Sequence, residues 1–122
     1  MIYNQWYAVL PSRSVKNNQV IAVKRLNLNL AFFRSEEGSL GCVADQCTHR
    51  GAALSKGKVK GNCVECPFHG IQFDENGRCT LIPANGIASK LDLSRYNVKK
   101  YLVKEHCGII YLWYGDETKV TE

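Results

Sequence analysis

A chain of 122 residues with 45% hydrophobic and 22% charged side chains is long enough to bury one core and too apolar to stay unfolded. The net charge of +5 suits an acidic partner better than nucleic acid, because the sixteen Lys and Arg are scattered outside two short stretches. No apolar run approaches the roughly twenty residues of a membrane span. The start M-I-Y-N-Q-W lacks a basic segment leading into an apolar one, so a cytoplasmic protein away from membranes is expected. In that reducing compartment the six cysteines read as ligands or buried thiols rather than disulfides.

Short strands follow one another along the chain. Residues 6–10 (W-Y-A-V-L) are aromatic and β-branched enough for a strand, which Pro11, Ser12 and Ser14 end. Residues 20–26 and 28–34 carry further apolar runs. S-E-E-G-S at 35–39 reads as a hairpin turn with Gly38 at a left-handed position, and residues 40–44 form the return strand. K-G-K-V-K-G-N-C-V-E at 56–65 allows at most a short pair of strands. Residues 71–74 and 78–81 flank E-N-G at 75–77, a hairpin signal, and 83–95 read as a loop. The last strands are expected at 97–104 and 109–114, joined at Cys107-Gly108. No helical period persists beyond about two turns. Many short strands separated by turns predict an all-β fold, a small antiparallel β-sandwich or barrel, with residues 1–122 as a single domain.

Two stretches stand apart from this pattern. C-T-H-R-G at 47–51 and C-P-F-H-G at 66–70 each offer one thiol and one imidazole, and sixteen residues (50–65) lie between His49 and Cys66. Gly51 and Gly70 follow the histidines and favour tight loops with room for backbone near a ligand. Such a donor set builds a tetrahedral Cys2His2 zinc site. It equally builds a binuclear iron–sulfur site, with both thiolates on one iron and both imidazoles on the other. A zinc finger usually pairs Cys with Cys and His with His, and needs its metal because the domain is tiny. The donors alone leave both metals open.

The spacing and the words around it resemble the binding pattern of the Rieske [2Fe-2S] family. N-Q-W-Y-A-V near the start and G-I-I-Y-L-W-Y-G-D near the end are similar to the first and last strands of the Rieske domain in ring-hydroxylating oxygenase α subunits. The resemblance therefore spans nearly the whole chain. It implies small antiparallel sheets and a cluster held by two loops of a subdomain at about residues 43–73. It implies thiolate ligands at Cys47 and Cys66, imidazole ligands at His49 and His69, a [2Fe-2S] cofactor and electron transfer. Two neutral imidazoles in place of thiolates leave the oxidised cluster less negative, so Rieske potentials lie at about −150 to +300 mV. Respiratory members at the high end add an inter-loop disulfide and two hydroxyls near the cluster. Here those positions are Ala52 and Phe68, and Ile71 and Phe73, so the resemblance implies a low potential.

The same resemblance implies a reductase or ferredoxin as electron donor, and an oxygenase catalytic domain of the same or a neighbouring subunit as acceptor. The acceptor's mononuclear iron takes two His and one carboxylate. Only His106 of the three histidines remains once His49 and His69 are assigned, so no catalytic residue is expected in this chain. It reads as the N-terminal domain of a longer α subunit. A stand-alone Rieske ferredoxin and a structural zinc module are the other readings.

The remaining residues have plainer roles. Cys63 reads as a strand residue despite C-V-E-C, Cys42, Cys79 and Cys107 as small thiols, and His106 as exposed and unliganded. Arg50 is expected to bond within the loop, to a carboxylate such as Asp45, or to face an electron partner. Lys56, Lys58 and Lys60 share one strand face, and Lys99, Lys100 and Lys104 form a second basic stretch. Either is a solvated face or a dock for an acidic ferredoxin or reductase. Trp6, Tyr7, Trp113 and Tyr114 read as core and edge packing.

Overall fold

The computed structural model describes residues 2–48, 51–67, 70–82 and 93–120. Its strands are β1 (Gln5–Pro11), β2 (Gln19–Arg25), β3 (Leu28–Arg34), β4 (Leu40–Ala44), β5 (Lys58–Lys60), β6 (Cys63–Glu65), β7 (Gln72–Phe73), β8 (Cys79–Leu81), β9 (Val103–His106) and β10 (Ile109–Tyr114). They form three antiparallel sheets, ordered β1-β10-β9, β2-β3-β4 and β5-β6-β7-β8. Helical structure among the described residues is confined to short 3-10 turns. The expected all-β architecture is what the chain forms, and none of its described helices is long and apolar enough to cross a membrane.

The sequence L-N-L-A-F-F-R of β3 has apolar residues on both faces because both faces are covered. Leu30 and Phe32 join one core with Val9, Leu10, Cys42, Ile110 and Leu112, between the first two sheets. Ala31 and Phe33 point the other way. They join a second core with Val43, Leu54, Val64, Ile71, Phe73 and both motif cysteines. The alternation of a strand thus divides β3 and β4 between a sheet-on-sheet core and a core under the two loops. Burying a residue such as Phe32 or Phe33 completely contributes roughly 1.5–3 kcal/mol.

Several strand ends differ from the sequence expectation, β1 running on through Pro11, and two of the differences have a clear physical cause. The strand expected at 20–26 ends at Arg25, because Leu26 and Asn27 turn with φ of 55° and 61°. This is the left-handed pair that a two-residue hairpin wants, and Leu is an unusual residue to supply it. The strand expected at 97–104 begins only at Val103 and ends at His106. Before it, Leu93–Tyr96 make a 3-10 turn inside the stretch read as a loop, the rest of which, 83–92, lies outside the described residues. Residues 97–102 run as a strap beside β4, through Ala44 N–H to the Lys99 carbonyl and Tyr101 N–H to the Cys42 carbonyl, both 2.8 Å. The turn at Cys107-Gly108 is present, with φ of 51° and 78°.

Candidate metal centre

The two Cys/His stretches fold on the same frame. In the first, Cys47 N–H donates to the Ala52 carbonyl at 2.7 Å; in the second, Cys66 N–H donates to the Ile71 carbonyl at 2.7 Å. Each closure spans five residues, and each places a glycine four residues after the cysteine in the left-handed region. Gly51 has φ 73° and Gly70 has φ 67°. A side chain at either position would be strained, so the glycines of C-T-H-R-G and C-P-F-H-G are required by the turn.

Cys47 and Cys66 are 1% and 2% exposed and belong to one apolar cluster. The residues that follow them, Thr48 and Pro67, are exposed. Each loop therefore turns from core to solvent immediately after its thiol. His49 and His69, with Arg50 and Phe68, lie outside the described residues. Among the described residues no three or more His, Cys, Asp or Glu are grouped so that they could hold a metal ion, so what they contribute to the site is the thiol pair.

Other contacts hold the loops to the sheets. Asp45, at the root of the first loop, accepts the Ser55 backbone N–H at 2.7 Å and the Ser55 hydroxyl at 2.5 Å. Thr48 Oγ1 donates to the Tyr96 carbonyl at 2.5 Å. Gly57 lies so close to β6 that a Cβ there would sit 1.8 Å from the Glu65 carbonyl oxygen, one residue before Cys66. Neither Ser55 nor Tyr96 carries a sequence signal for its role: they lie ten and 48 residues from their partners.

Cys79 joins the same core as Cys47 and Cys66 and is 6% exposed. Burial raises its thiol pKa above the ordinary value, and the nearby Cys47 raises it further. Cys42 is fully buried in the other core, and burial pushes its thiol up as well. Cys63 is a half-buried strand residue, Cys107 is exposed, and none of the six cysteines is in a disulfide. His106 is exposed beside the turn. Trp6 and Trp113 meet edge to face at 5.4 Å, Tyr7 and Tyr114 at 6.2 Å, so the terminal aromatics serve packing.

The family model for the Rieske [2Fe-2S] domain matches residues 5–101. The chain belongs to this family. Cholesterol 7-desaturase of Bombyx mori is 36% identical over 115 residues, 93% of this chain and 24% of that protein. 4beta-Methylsterol monooxygenase of Methylococcus capsulatus is 38% identical over 113 residues, 93% of this chain and 31% of that protein. A crystal structure of dicamba monooxygenase superposes with a TM-score of 0.88 at 27% identity, covering 99% of this chain and 36% of the other. The chain therefore spans about a quarter to a third of the length of these relatives.

The family's cofactor is a Rieske-type [2Fe-2S] cluster, and the described residues fit it. A Rieske centre takes two thiolates on one iron and imidazoles on the other. Here two buried thiols head two matching loops within one apolar core, and the loops leave that core at Thr48 and Pro67.

Proposed function

We propose that this chain is the electron-transfer domain of a Rieske oxygenase α subunit, with Cys47, His49, Cys66 and His69 as cluster ligands. When bound, the [2Fe-2S] cluster would supply a one-electron acceptor and donor with a potential towards the low end of the Rieske range. Cys47 and Cys66, buried in the apolar core, would hold it by their thiolates. His49 and His69 would hold it by their imidazoles and would be the ligands through which an electron passes. Residues 1–122 act as one domain, with the cluster-binding part at about 43–73. The single observation that carries this reading is the shared frame of the two loops, with its Cys-to-carbonyl closures of 2.7 Å.

The oxygenase relatives support the wider reading: the donor is a reductase or ferredoxin, and the acceptor is a mononuclear iron site in a catalytic domain of the same or a neighbouring subunit. The catalytic chemistry belongs to that domain, because His106 alone is left over as an imidazole donor in this chain. A reducing, cytoplasmic setting is part of the proposal and agrees with six cysteines outside any disulfide.

Reconstitution with iron and sulfide under reducing conditions tests it. The expected product is coloured, and the dithionite-reduced sample gives the EPR signal of a Rieske centre. Replacing His49 or His69 with Ala abolishes that signal. A colourless protein that binds one zinc per chain sinks the proposal.

A further inference from the structure

The strap before β9 is irregular, yet several hydrogen bonds tie it to the neighbourhood of the two loops. Cys79 N–H donates to Asn97 Oδ1 at 2.9 Å, and Val98 N–H donates to the Gly77 carbonyl at 2.8 Å. Ala44 N–H donates to the Lys99 carbonyl at 2.8 Å. The strap thus bridges the root of the first loop and the turn that leads into β8. Val98, 6% exposed, belongs to the core that contains Cys47 and Cys66. At the head of this strap the Tyr96 carbonyl accepts the Thr48 hydroxyl at 2.5 Å.

Thr48 is the one residue between Cys47 and His49. Burial does not force its hydroxyl into this bond, because Thr48 is exposed and water could satisfy it. Its effect passes to the backbone. A β-branched side chain has a stiff first torsion, so holding Oγ1 restrains the two soft backbone torsions of residue 48. Those torsions set how the residue after Thr48 is directed relative to Cys47.

We propose that Thr48 is a positioning residue: through the Tyr96 carbonyl it gives the Cys47–His49 pair one orientation about the cluster. This rests on the ligand assignment proposed above. The strap acts as a splint, anchored next to Tyr96 by Asn97 and Val98 to Cys79 and to the Gly77 turn that leads into β8.

The experiment compares Thr48→Val, which keeps the shape and loses the hydroxyl, with Thr48→Ser, which keeps the hydroxyl. In the cluster-loaded native chain, Thr48→Val broadens the EPR lines of the reduced centre, because the loop pair samples several orientations. It also speeds cluster loss to an iron chelator about fivefold, the equivalent of one net hydrogen bond. In the cluster-free chain, amide hydrogen exchange in residues 44–52 and 93–101 rises about fivefold. Thr48→Ser restores all three. A lowered melting temperature with unchanged EPR line widths marks a merely structural bond and overturns the proposal. Unchanged exchange in both segments does the same. A wild-type chain that takes up no iron–sulfur cluster overturns the ligand assignment and this proposal together, whereas a wild-type signal that Thr48→Val leaves unaltered overturns this proposal alone.

Discussion

Asp45 takes both polar hydrogens of Ser55, the backbone N–H on Oδ1 at 2.7 Å and the hydroxyl on Oδ2 at 2.5 Å. The pair staples the root of the first cysteine loop to the 3-10 turn at Leu54–Lys56. Asp45→Ala is expected to cost about 1–3 kcal/mol, since it leaves a half-buried N–H without its acceptor. Ser55→Ala, which removes the hydroxyl bond alone, is expected to cost about 1 kcal/mol. Denaturant titration of the two variants checks the order. Equal costs would mean that the backbone bond contributes nothing.

A second carboxylate adds to the acid sensitivity of the fold. Glu105 on β9 receives two hydrogen bonds from Arg34 at 2.6 and 3.1 Å. The Arg34 guanidinium holds the Glu105 carboxyl below its ordinary value of 4.5. Because the folded state binds this proton less readily than the unfolded chain, the stabilisation is complete above about pH 4.5. It fades as pH falls through the lowered value. Glu105→Gln is expected to flatten the stability profile in that acid window, measured by thermal melts at stepped pH.

Arg34 does more than pair with Glu105. It also donates to the carbonyls of Val15, Gly38 and Ser12, and it is 8% exposed. Arg34→Met is expected to cost about 2–3 kcal/mol, below the range for a fully buried pair because Glu105 remains partly solvated. A loss under 1 kcal/mol by denaturant titration would show that water replaces these bonds.

The cluster potential is expected below about +100 mV, towards the low end of the Rieske range. Ile71 and Phe73 are 1% and 0% exposed in the core under the loops and bring no hydroxyl to it. Phe73→Tyr adds a donor that favours the reduced, more negative state. It is expected to raise the midpoint by about 40 mV, the one-electron equivalent of a hydrogen bond of about 1 kcal/mol. Protein-film voltammetry of the loaded chain reads both the absolute value and the shift.

The two basic stretches separate on their contacts. Lys100 pairs with Glu117 at 3.5 Å. Lys99 lies 5.2 Å from the ring centre of Tyr101, and Lys104 lies 4.3 Å from that of Trp6. Lys56, Lys58 and Lys60 are exposed, and Lys58 reaches Glu65 only at 3.8 Å. Lys56 and Lys58 also line a cavity of about 250 Å³ together with Glu65, Cys66 and Pro67. An acidic donor is therefore expected to dock there. Lys56→Glu with Lys58→Glu should slow reduction by an acidic ferredoxin about tenfold at low salt and little at high salt. Reduction by dithionite should be unchanged. Equal slowing with both reductants would mean damage to the centre rather than to docking.

The elements that the sequence announces are those whose cause is local. Gly38 and the Cys107-Gly108 pair make turns with positive φ where a turn was expected, and β10 follows from its run of apolar and aromatic residues. Leu26 hides a turn because a leucine does not signal left-handed backbone, and only Asn27 beside it does. The stretch 97–102 looks extended enough for a strand, but it bonds to β4 only at intervals and spends Asn97 on capping the Cys79 N–H. At the site, each Cys-to-Gly spacing is local and therefore legible. The Asp45–Ser55 and Thr48–Tyr96 bonds depend on the fold and are not.

The division of β3 between two cores bears on how the domain melts. A slip of one residue would send Leu30 and Phe32 beneath the loops and Ala31 and Phe33 between the sheets, putting Ala in place of Leu between the sheets and Leu in place of Ala beneath the loops. Neither half can rearrange while the other stays native. The redox loops and the aromatic-rich sheet of the chain ends are therefore expected to lose structure in one cooperative step, without a partly folded species that keeps the metal.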